Sequence, residues 1–343
     1  MKILILKPSS LGDVIQALPV MRLLKHHWPA SEIYWWIGSE FLDLLRGDPD
    51  LTGVFPFHRQ QWKLPLEWFQ VFSGIQSMRS QRFDWVIDLQ GLARSGLFAW
   101  LANGAFTIGV DDPREGARAF YDVAVPRPSL QTHAVDWYLE VLRVLRVPVH
   151  WDFTWLPPRP AVVMTIHRKW QIEQATWIII NPGARWLNKR WPIEYFAQLV
   201  QHLAQKNANL HFAILGGSGD KSLGQAISHA APLRCLDLTG RTSLPEMVEW
   251  IRLAALVITN DTGPMHVAAA LGKPVIALFG PTDPRRTGPY GQIDDVVRIR
   301  LPCSPCLRPI CSYVKPMECL RAIGPDQVLT ITTQKLESIG GLG

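Results

Sequence analysis

The segment Asn260-Asp261-Thr262-Gly263-Pro264-Met265-His266 carries the sharpest chemical signal in the chain. An apolar strand pattern ends there and a small polar turn follows. A helix then starts, with Thr262 as its expected N-cap and Pro264 near its first position. Bare backbone N–H groups and the helix dipole favour an anion at such a start. His266 lies one turn in. Read alone, the segment fits a plain capped helix with a solvated histidine better. Two further loops change that balance. Gly183 closes a tight turn after its own strand, and Lys189-Arg190-Trp191-Pro192 precedes the next helix. A lysine at a helix entrance supplies a full charge where the dipole supplies a partial one, the alternative being a surface Lys-Arg pair. Gly216-Gly217-Ser218-Gly219 lets a backbone approach a ligand closely, and Asp220 suits ribose hydroxyls. The loop is not a G-x-G-x-x-G motif. Together the three loops predict a nucleoside diphosphate in the second half of the chain.

The first half offers an acid–base candidate. Asp13 follows the first strand at a helix start, with Ser10 and Gly12 in the same turn. It reads as a general base or a substrate-hydroxyl acceptor, or equally as the partner of Ser10 in a capping box. A helix N-terminus favours the carboxylate, so such a base is weak and suits a late proton transfer. Gln90, Arg94 and Ser95 follow another strand and can line an opposite wall. Arg114 and Arg118 can meet an anionic acceptor, or belong to a solvated loop. Cys303-x-x-Cys306-x4-Cys311-x7-Cys319 has zinc-knuckle spacing in its first pair only. A buried reduced cluster and a redox-labile pair are its rival readings, and spacing alone over-predicts sites, so no metal ligand is assigned.

These residues need elements to hold them. Continuous apolar runs predict strands at Ile3–Leu6, Ile33–Ile37, Val54–Phe57 and Trp85–Leu89. Helical spacing covers Val14–His27, with Pro19 as a possible kink, then Gly91–Ala102 and His133–Leu145. Residues 147–160 are Pro-rich and aperiodic, which suits a linker. Beyond it the pattern repeats. Strands are expected at Trp177–Ile180, Leu210–Leu215, Leu256–Thr259 and Pro274–Phe279. Helices are expected at Trp191–Gln205, Leu244–Leu253 and Pro264–Leu271. Alternation of this kind predicts an α/β chain of two doubly wound, parallel-sheet units. Every loop singled out above follows a strand, where such sheets bind ligands.

The chain has 343 residues, 48% of them hydrophobic and 19% charged, which excludes disorder and suits two or three domains. No nucleic-acid-reading motif accompanies the net charge of +6. The excess is modest and suggests an anionic ligand or surface. Five cysteines, four of them clustered, are no disulfide framework. The Met1–Lys7 run is too short for a signal segment and no apolar stretch approaches a membrane span, so a cytoplasmic protein is expected. Among the 15 tryptophans, Trp28, Trp35, Trp36, Trp62 and Trp68 crowd the first unit. Core packing is the plain account of them, and a membrane-facing belt is the alternative.

Five segments together resemble glycosyltransferase family 9, the lipopolysaccharide heptosyltransferases. They are Lys7–Val14, Asn181–Ala184 with Lys189–Pro192, Thr239–Leu244, Asn260–Gly272 and Phe279–Pro284, in the family's order. The resemblance implies a GT-B fold, two Rossmann-like domains facing across a cleft. An acceptor domain at 1–155, a nucleotide-sugar domain at 156–325 and a terminal helix in 326–343 crossing back are expected. It also implies inverting, metal-independent transfer of heptose from ADP-L-glycero-D-manno-heptose to the lipid A–Kdo or heptosylated core, at the cytoplasmic face of the inner membrane. No cofactor is implied, and no clear Asp-x-Asp metal motif is present. Asp13 matches the family's base, and Lys189 with the Thr262 and Gly263 N–H groups would stabilise the leaving ADP. Asp261 would hold donor-sugar hydroxyls, and Thr242, Ser243 and Leu244 would lie beside adenine. Gly183, Gly216, Gly217, Asp220 and His266 complete the donor set. Ser10, Gly12, Gln90, Arg94, Arg114 and Arg118 form the acceptor set. The cysteine-rich loop resembles members that add the second heptose, which favours that type over the first.

Overall fold

The computed structural model describes residues 1–58, 68–172 and 175–340. The chain divides into two compact units, Met1–Pro157 and Pro158–Gly343. The division falls inside the Pro-rich stretch that the sequence marks as linker.

In the first unit the elements run β1 (Lys2–Leu6), α1 (Leu11–His27), β2 (Glu32–Gly38), α2 (Leu42–Leu45) and β3 (Gly53–Phe57). Then come α3 (Trp68–Ser80), β4 (Trp85–Asp88), α4 (Ala93–Ala102), β5 (Phe106–Asp111), β6 (Val123–Pro126) and α5 (Ala134–Val144). The sheet order is β3-β2-β1-β4-β5-β6, with every pairing parallel. Leu4 stands between Tyr34 of β2 and Val86 of β4. Residues Ile3–Leu6 are wholly buried, as a strand covered on both faces requires. Pro19 lies inside α1, which nevertheless continues to His27.

The second unit repeats the plan. It contains α6 (Pro160–Trp170), β7 (Thr176–Asn181), α7 (Ile193–Lys206), β8 (Leu210–Ile214), α8 (Lys221–Ser228) and β9 (Cys235–Asp237). These lead to α9 (Leu244–Leu253), β10 (Leu256–Asn260), α10 (Gly263–Ala270), β11 (Val275–Phe279), α11 (Pro284–Thr287) and β12 (Val296–Arg298). Two last helices follow, α12 (Glu318–Arg321) and α13 (Pro325–Ser338). The sheet order is β12-β11-β10-β7-β8-β9, again all parallel. Val328 and Leu336 of α13 are buried in this unit's core with Trp191, Phe196 and Leu199.

In both sheets the order reverses at one place, between β1 and β4 and between β7 and β10. Chains leave these neighbouring strands toward opposite sides, which opens a crevice at their carboxyl ends. Asp13, Gln90, Lys189 and Asp261 follow these four strands, while Arg114 and Arg118 follow β5, Gly216–Asp220 follow β8 and Thr242–Leu244 follow β9. Among the described residues no helix is long and apolar enough to cross a membrane. Trp35 and Trp36 are core residues, and Trp28 packs edge-on against Trp85 with ring centroids 5.1 Å apart. Trp62 and the Trp68 side chain lie outside the described residues.

Candidate active site

At the β7–β10 crevice, both strands end in a buried asparagine. Asn260 donates to the Pro182 carbonyl at 2.8 Å and accepts from the Trp191 N–H at 3.0 Å. Asn181 donates to the Leu215 carbonyl at 3.1 Å and accepts from the Thr262 hydroxyl at 2.9 Å. These amides fasten the turns after β7 and β10 to each other and to the end of β8. Asp261 follows directly. Its Oδ2 lies 2.6 Å from Lys189 Nζ and accepts from the Thr282 hydroxyl at 2.6 Å. The Lys189 side chain is 19% exposed and that of Asp261 6% exposed, so the pair is largely shielded from water. Lys189 also lies over the Trp186 ring, 4.9 Å from its centroid. Beside this pair α10 begins, with Thr262 as its N-cap in extended backbone geometry. An ammonium, a carboxylate and a helix start therefore share one corner, which suits a diphosphate joined to a hydroxyl-rich group.

The glycine loop lies next to it. Asp220 accepts from the Gly217 N–H at 3.0 Å and pairs with Arg190 at 3.6 Å. A Cβ on Gly183 would stand 2.6 Å from Asp220 Oδ2, so Gly183 is the residue that admits this carboxylate. Gly216 is crowded by Asp220 in the same way, at 2.9 Å from its Cβ. Two of the sequence-predicted donor residues also serve the fold here, and two local expectations, for Thr262 and His266, change. Asp220 is engaged in closing its own loop, so its carboxylate serves the fold before any ribose. Ser243 is the N-cap of α9: its hydroxyl accepts from the Glu246 N–H while its own N–H donates to Glu246 Oε2 at 2.7 Å. Its neighbours Thr242 and Leu244 flank that cap. Thr262 holds the N-cap position without capping through its side chain, because its hydroxyl is directed to Asn181. His266 is buried at 8% exposure and is not a solvated histidine.

At the β1–β4 crevice, Asp13 Oδ2 accepts from the Ser10 N–H at 2.8 Å and from the Ser10 hydroxyl at 2.7 Å. The carboxylate therefore ties its own turn together, with buried Gly12 between. Beneath this turn Lys7 is enclosed. Its Nζ donates to the Leu89 carbonyl at 2.8 Å and sits 4.7 Å from the centroid of the Tyr138 ring. Burial works against its charge, but Tyr138, Asp13 and Asp88 outweigh that and hold the ammonium above the ordinary lysine value. Asp88 ends β4, wholly buried. It accepts from the Gln90 N–H at 2.8 Å and from the Tyr121 hydroxyl at 2.6 Å. Burial nonetheless pushes its carboxyl above the usual range.

Gln90 Oε1 is buried without a hydrogen-bond partner. Such an acceptor costs about 1–3 kcal/mol, which a substrate hydroxyl would offset. Arg94 is exposed at the start of α4, while Ser95 closes that start by accepting from the Leu92 N–H at 3.1 Å. Arg114 is held by both oxygens of Asp112, and its charge reaches Asp13. Arg118 is exposed and 3.5 Å from Asp111. The expected absence of an Asp-x-Asp motif is also corrected. Asp48-Pro49-Asp50 has that spacing, but both carboxylates are taken by buried Arg22, at 2.5 and 2.6 Å. Through Arg22 they tie the body of α1 to the loop before β3.

The four clustered cysteines line one small cavity of about 20 Å³ with Asn188 and Tyr313. Asn188 donates to the Arg308 carbonyl at 2.8 Å, which docks this loop beside Lys189. Among the described residues no three His, Cys, Asp or Glu side chains form a group that could hold a metal ion. Sequence reasoning gave no role to Thr282, Lys7, Asp88, Tyr121 or Tyr138. Thr282 was visible only as part of the Phe279–Pro284 segment. The two tyrosines come from loops and helices with no local signal.

The family model described as glycosyltransferase family 9 (heptosyltransferase) matches residues 71–316. Lipopolysaccharide heptosyltransferase 1 of Pseudomonas aeruginosa is 28% identical over 327 residues, covering 91% of this chain and 88% of the relative. Lipopolysaccharide heptosyltransferase 2 of Salmonella typhimurium is 28% identical over 312 residues, covering 87% and 88%. The solved Escherichia coli ADP-heptose lipopolysaccharide heptosyltransferase II superposes with a TM-score of 0.79 at 24% identity, over 98% of this chain and 99% of that one. The fold is thus the GT-B type, in line with the two parallel sheets. With the family model matching well over half its length, the chain belongs to glycosyltransferase family 9, the heptosyltransferases, and is a glycosyltransferase.

Proposed function

We propose that the protein transfers L-glycero-D-manno-heptose from ADP-heptose to the inner core of lipopolysaccharide, with inversion and without a metal. The observation that carries this is the Lys189–Asp261 pair at the start of α10, held by Thr282. Asp261 would receive donor-sugar hydroxyls. Lys189 has donors left for phosphate oxygens, since an ammonium carries three. In the reaction the acceptor oxygen bonds to the anomeric carbon as the bond to the β-phosphate oxygen breaks. The acceptor proton goes to Asp13 and the electron pair leaves with ADP. Negative charge grows on the β-phosphate, where Lys189 and the Thr262 and Gly263 N–H groups meet it. In this reading a lysine and a helix start do the work that a divalent cation does in other transferases.

On the acceptor side, Gln90 Oε1, Arg114 and Arg118 would meet hydroxyls and acidic groups of the core. The cysteine loop beside Lys189 favours the mono-heptosylated acceptor, that is, addition of the second heptose. A cytoplasmic location with peripheral contact to the inner membrane follows from such an acceptor and from the net charge of +6. The deciding experiment offers ADP-heptose with lipid A–Kdo and, separately, with its mono-heptosylated product. Transfer to the second acceptor alone is expected. Calorimetry showing UDP-sugar binding and no response to ADP would sink the donor assignment.

A further inference from the structure

The loop that carries the four clustered cysteines has two faces. Inward, Cys303, Cys306, Cys311 and Cys319 close with Tyr313 and Met317 around the small cavity. Outward stand Leu307, Ile310 and Val314, and Leu187 on the turn before α7 joins them. Ile310 is 78% exposed, Val314 94% and Leu187 69%. Turn and loop are tied together, since Asn188 donates to the Arg308 carbonyl at 2.8 Å. The loop is also pinned to the segment after β11. The Leu307 N–H donates to the Pro281 carbonyl at 2.8 Å, and the Ser304 hydroxyl to the Gly280 carbonyl at 2.7 Å. Pro302, Pro305, Pro309 and Pro316 stiffen what lies between. The apolar tips are therefore held outward by a fixed framework. Apolar side chains exposed in a group, unlike single scattered ones, mark an interaction surface.

The charge beside these tips has one sign. From Ile299 to Met317 the chain carries Arg300, Arg308 and Lys315 and no acidic residue. Arg185 adds a cation on the Leu187 side. All four are exposed, and among the described residues none of them is ion-paired. We infer that this loop, with the Leu187 turn, is the surface by which the protein docks on an anionic lipid bilayer: Ile310, Val314 and Leu187 enter the headgroup layer while the cations meet lipid phosphates. The inference deepens the peripheral membrane contact proposed above and rests on that reading. A bilayer offers both things the patch calls for, negative headgroups and an apolar layer beneath them. A second copy of the chain would set the same cations against one another in a two-fold contact. Docking here also brings the lipid surface toward the donor corner, because Asn188, which is tied to the loop, immediately precedes Lys189.

The test is co-sedimentation of the full-length protein with vesicles of phosphatidylethanolamine and phosphatidylglycerol, set against vesicles of phosphatidylcholine. Wild type should bind the anionic vesicles about tenfold or more tightly than the neutral ones, and less so as salt rises. Arg308→Gln/Lys315→Gln should weaken that binding by roughly 20-fold, about fivefold per charge. Ile310→Ser/Val314→Ser keeps every cation and should weaken it about tenfold or more, through lost apolar burial. Both substituted pairs are exposed, so both variants should keep wild-type melting curves and wild-type ADP affinity by calorimetry. Wild-type vesicle binding by either variant overturns the inference, and so does equal binding of wild type to the two kinds of vesicle. A dimer seen by sedimentation velocity without vesicles, and lost in Ile310→Ser/Val314→Ser, overturns it as well, because the patch is then an interface between copies. If wild type leaves both kinds of vesicle unbound, the membrane contact fails together with its surface, whereas heptose transfer to a delipidated core acceptor would leave the transferase reading standing.

Discussion

Lys189 and Asp261 come from different crossovers of the second sheet, yet Lys189 Nζ stands 2.6 Å from Asp261 Oδ2. The lysine arrives on the short turn before α7 and the aspartate on the last step out of β10. Each fixes the other's rotamer, and Thr282 secures the same oxygen from a third loop. On the proposed function, a charge that meets the leaving group is thus placed in advance.

Lys189→Met should lower kcat by about 10²–10³-fold, the usual effect of removing one transition-state donor. Asp261→Asn should act mainly on the donor KM, because a carboxylate that holds sugar hydroxyls binds ground and transition states alike. Steady-state kinetics with varied ADP-heptose separates the two patterns. Wild-type turnover in Lys189→Met would contradict the leaving-group role.

Tyr121→Phe should destabilise the first unit by about 1–3 kcal/mol, because it leaves the buried Asp88 acceptor without its hydroxyl donor. Asp88→Asn should cost less. Burial already penalises the Asp88 charge, and an amide escapes that penalty. Urea titrations of both variants give the order, and equal losses would show that the Tyr121–Asp88 bond is not what chiefly holds this corner together.

Glu246 gives an acid-side prediction. Burial opposes its charge, but the Ser243 N–H and the Lys169 ammonium outweigh that and hold the carboxyl below its usual value. The unfolded chain therefore binds the proton first as pH falls. This carboxyl stabilises the fold above the ordinary glutamate range, and the contribution is lost as pH drops through the lower folded value. Melting curves of Glu246→Gln should show a shallower acid-side fall than wild type. Ser243→Ala, which removes the cap of α9, should cost about 0.5–2 kcal/mol.

The cysteines should react in a fixed order. The Met317 and Tyr313 N–H groups draw the Cys311 thiol below its ordinary value. Burial, with the neighbouring cysteines, pushes Cys319 up to about 11, and burial alone pushes Cys235 up to about 12. Because the thiolate is the reactive form, timed alkylation followed by peptide mass spectrometry should find Cys311 modified first and Cys235 and Cys319 last.

Sequence reading succeeded where local signals were strong. The cores of β1, β7 and β10 are continuous apolar runs, and Leu244–Leu253 forms the helix its pattern predicts. It passed over β5 because Thr107 and Gly109 interrupt the apolar run. Gly109 is there because the Tyr121 ring occupies the space a Cβ would need, at 2.5 Å, a reason only the tertiary structure supplies. It passed over α6 because Pro157, Pro158 and Pro160 read as linker, although Pro160 sits in the first helical turn where proline is tolerated. The placement of Asp13, Lys189 and Asp261 beyond strand ends is legible, since each follows an apolar run that closes in a turn. That of Lys7 is not, for it looks like the polar end of a strand until Leu89, Tyr138 and Asp88 close around it.

Asn181 and Asn260 each use an N–H to hold one segment and a carbonyl oxygen to hold another. An aspartate in either place would lose the donor and a leucine would lose both ends. The pair makes the layer above the second sheet a rigid template whose order is set during folding. On the proposed function, a nucleotide sugar arriving there need not freeze the loops around it, so the entropy that a mobile pocket would take from its affinity remains available for the chemical step.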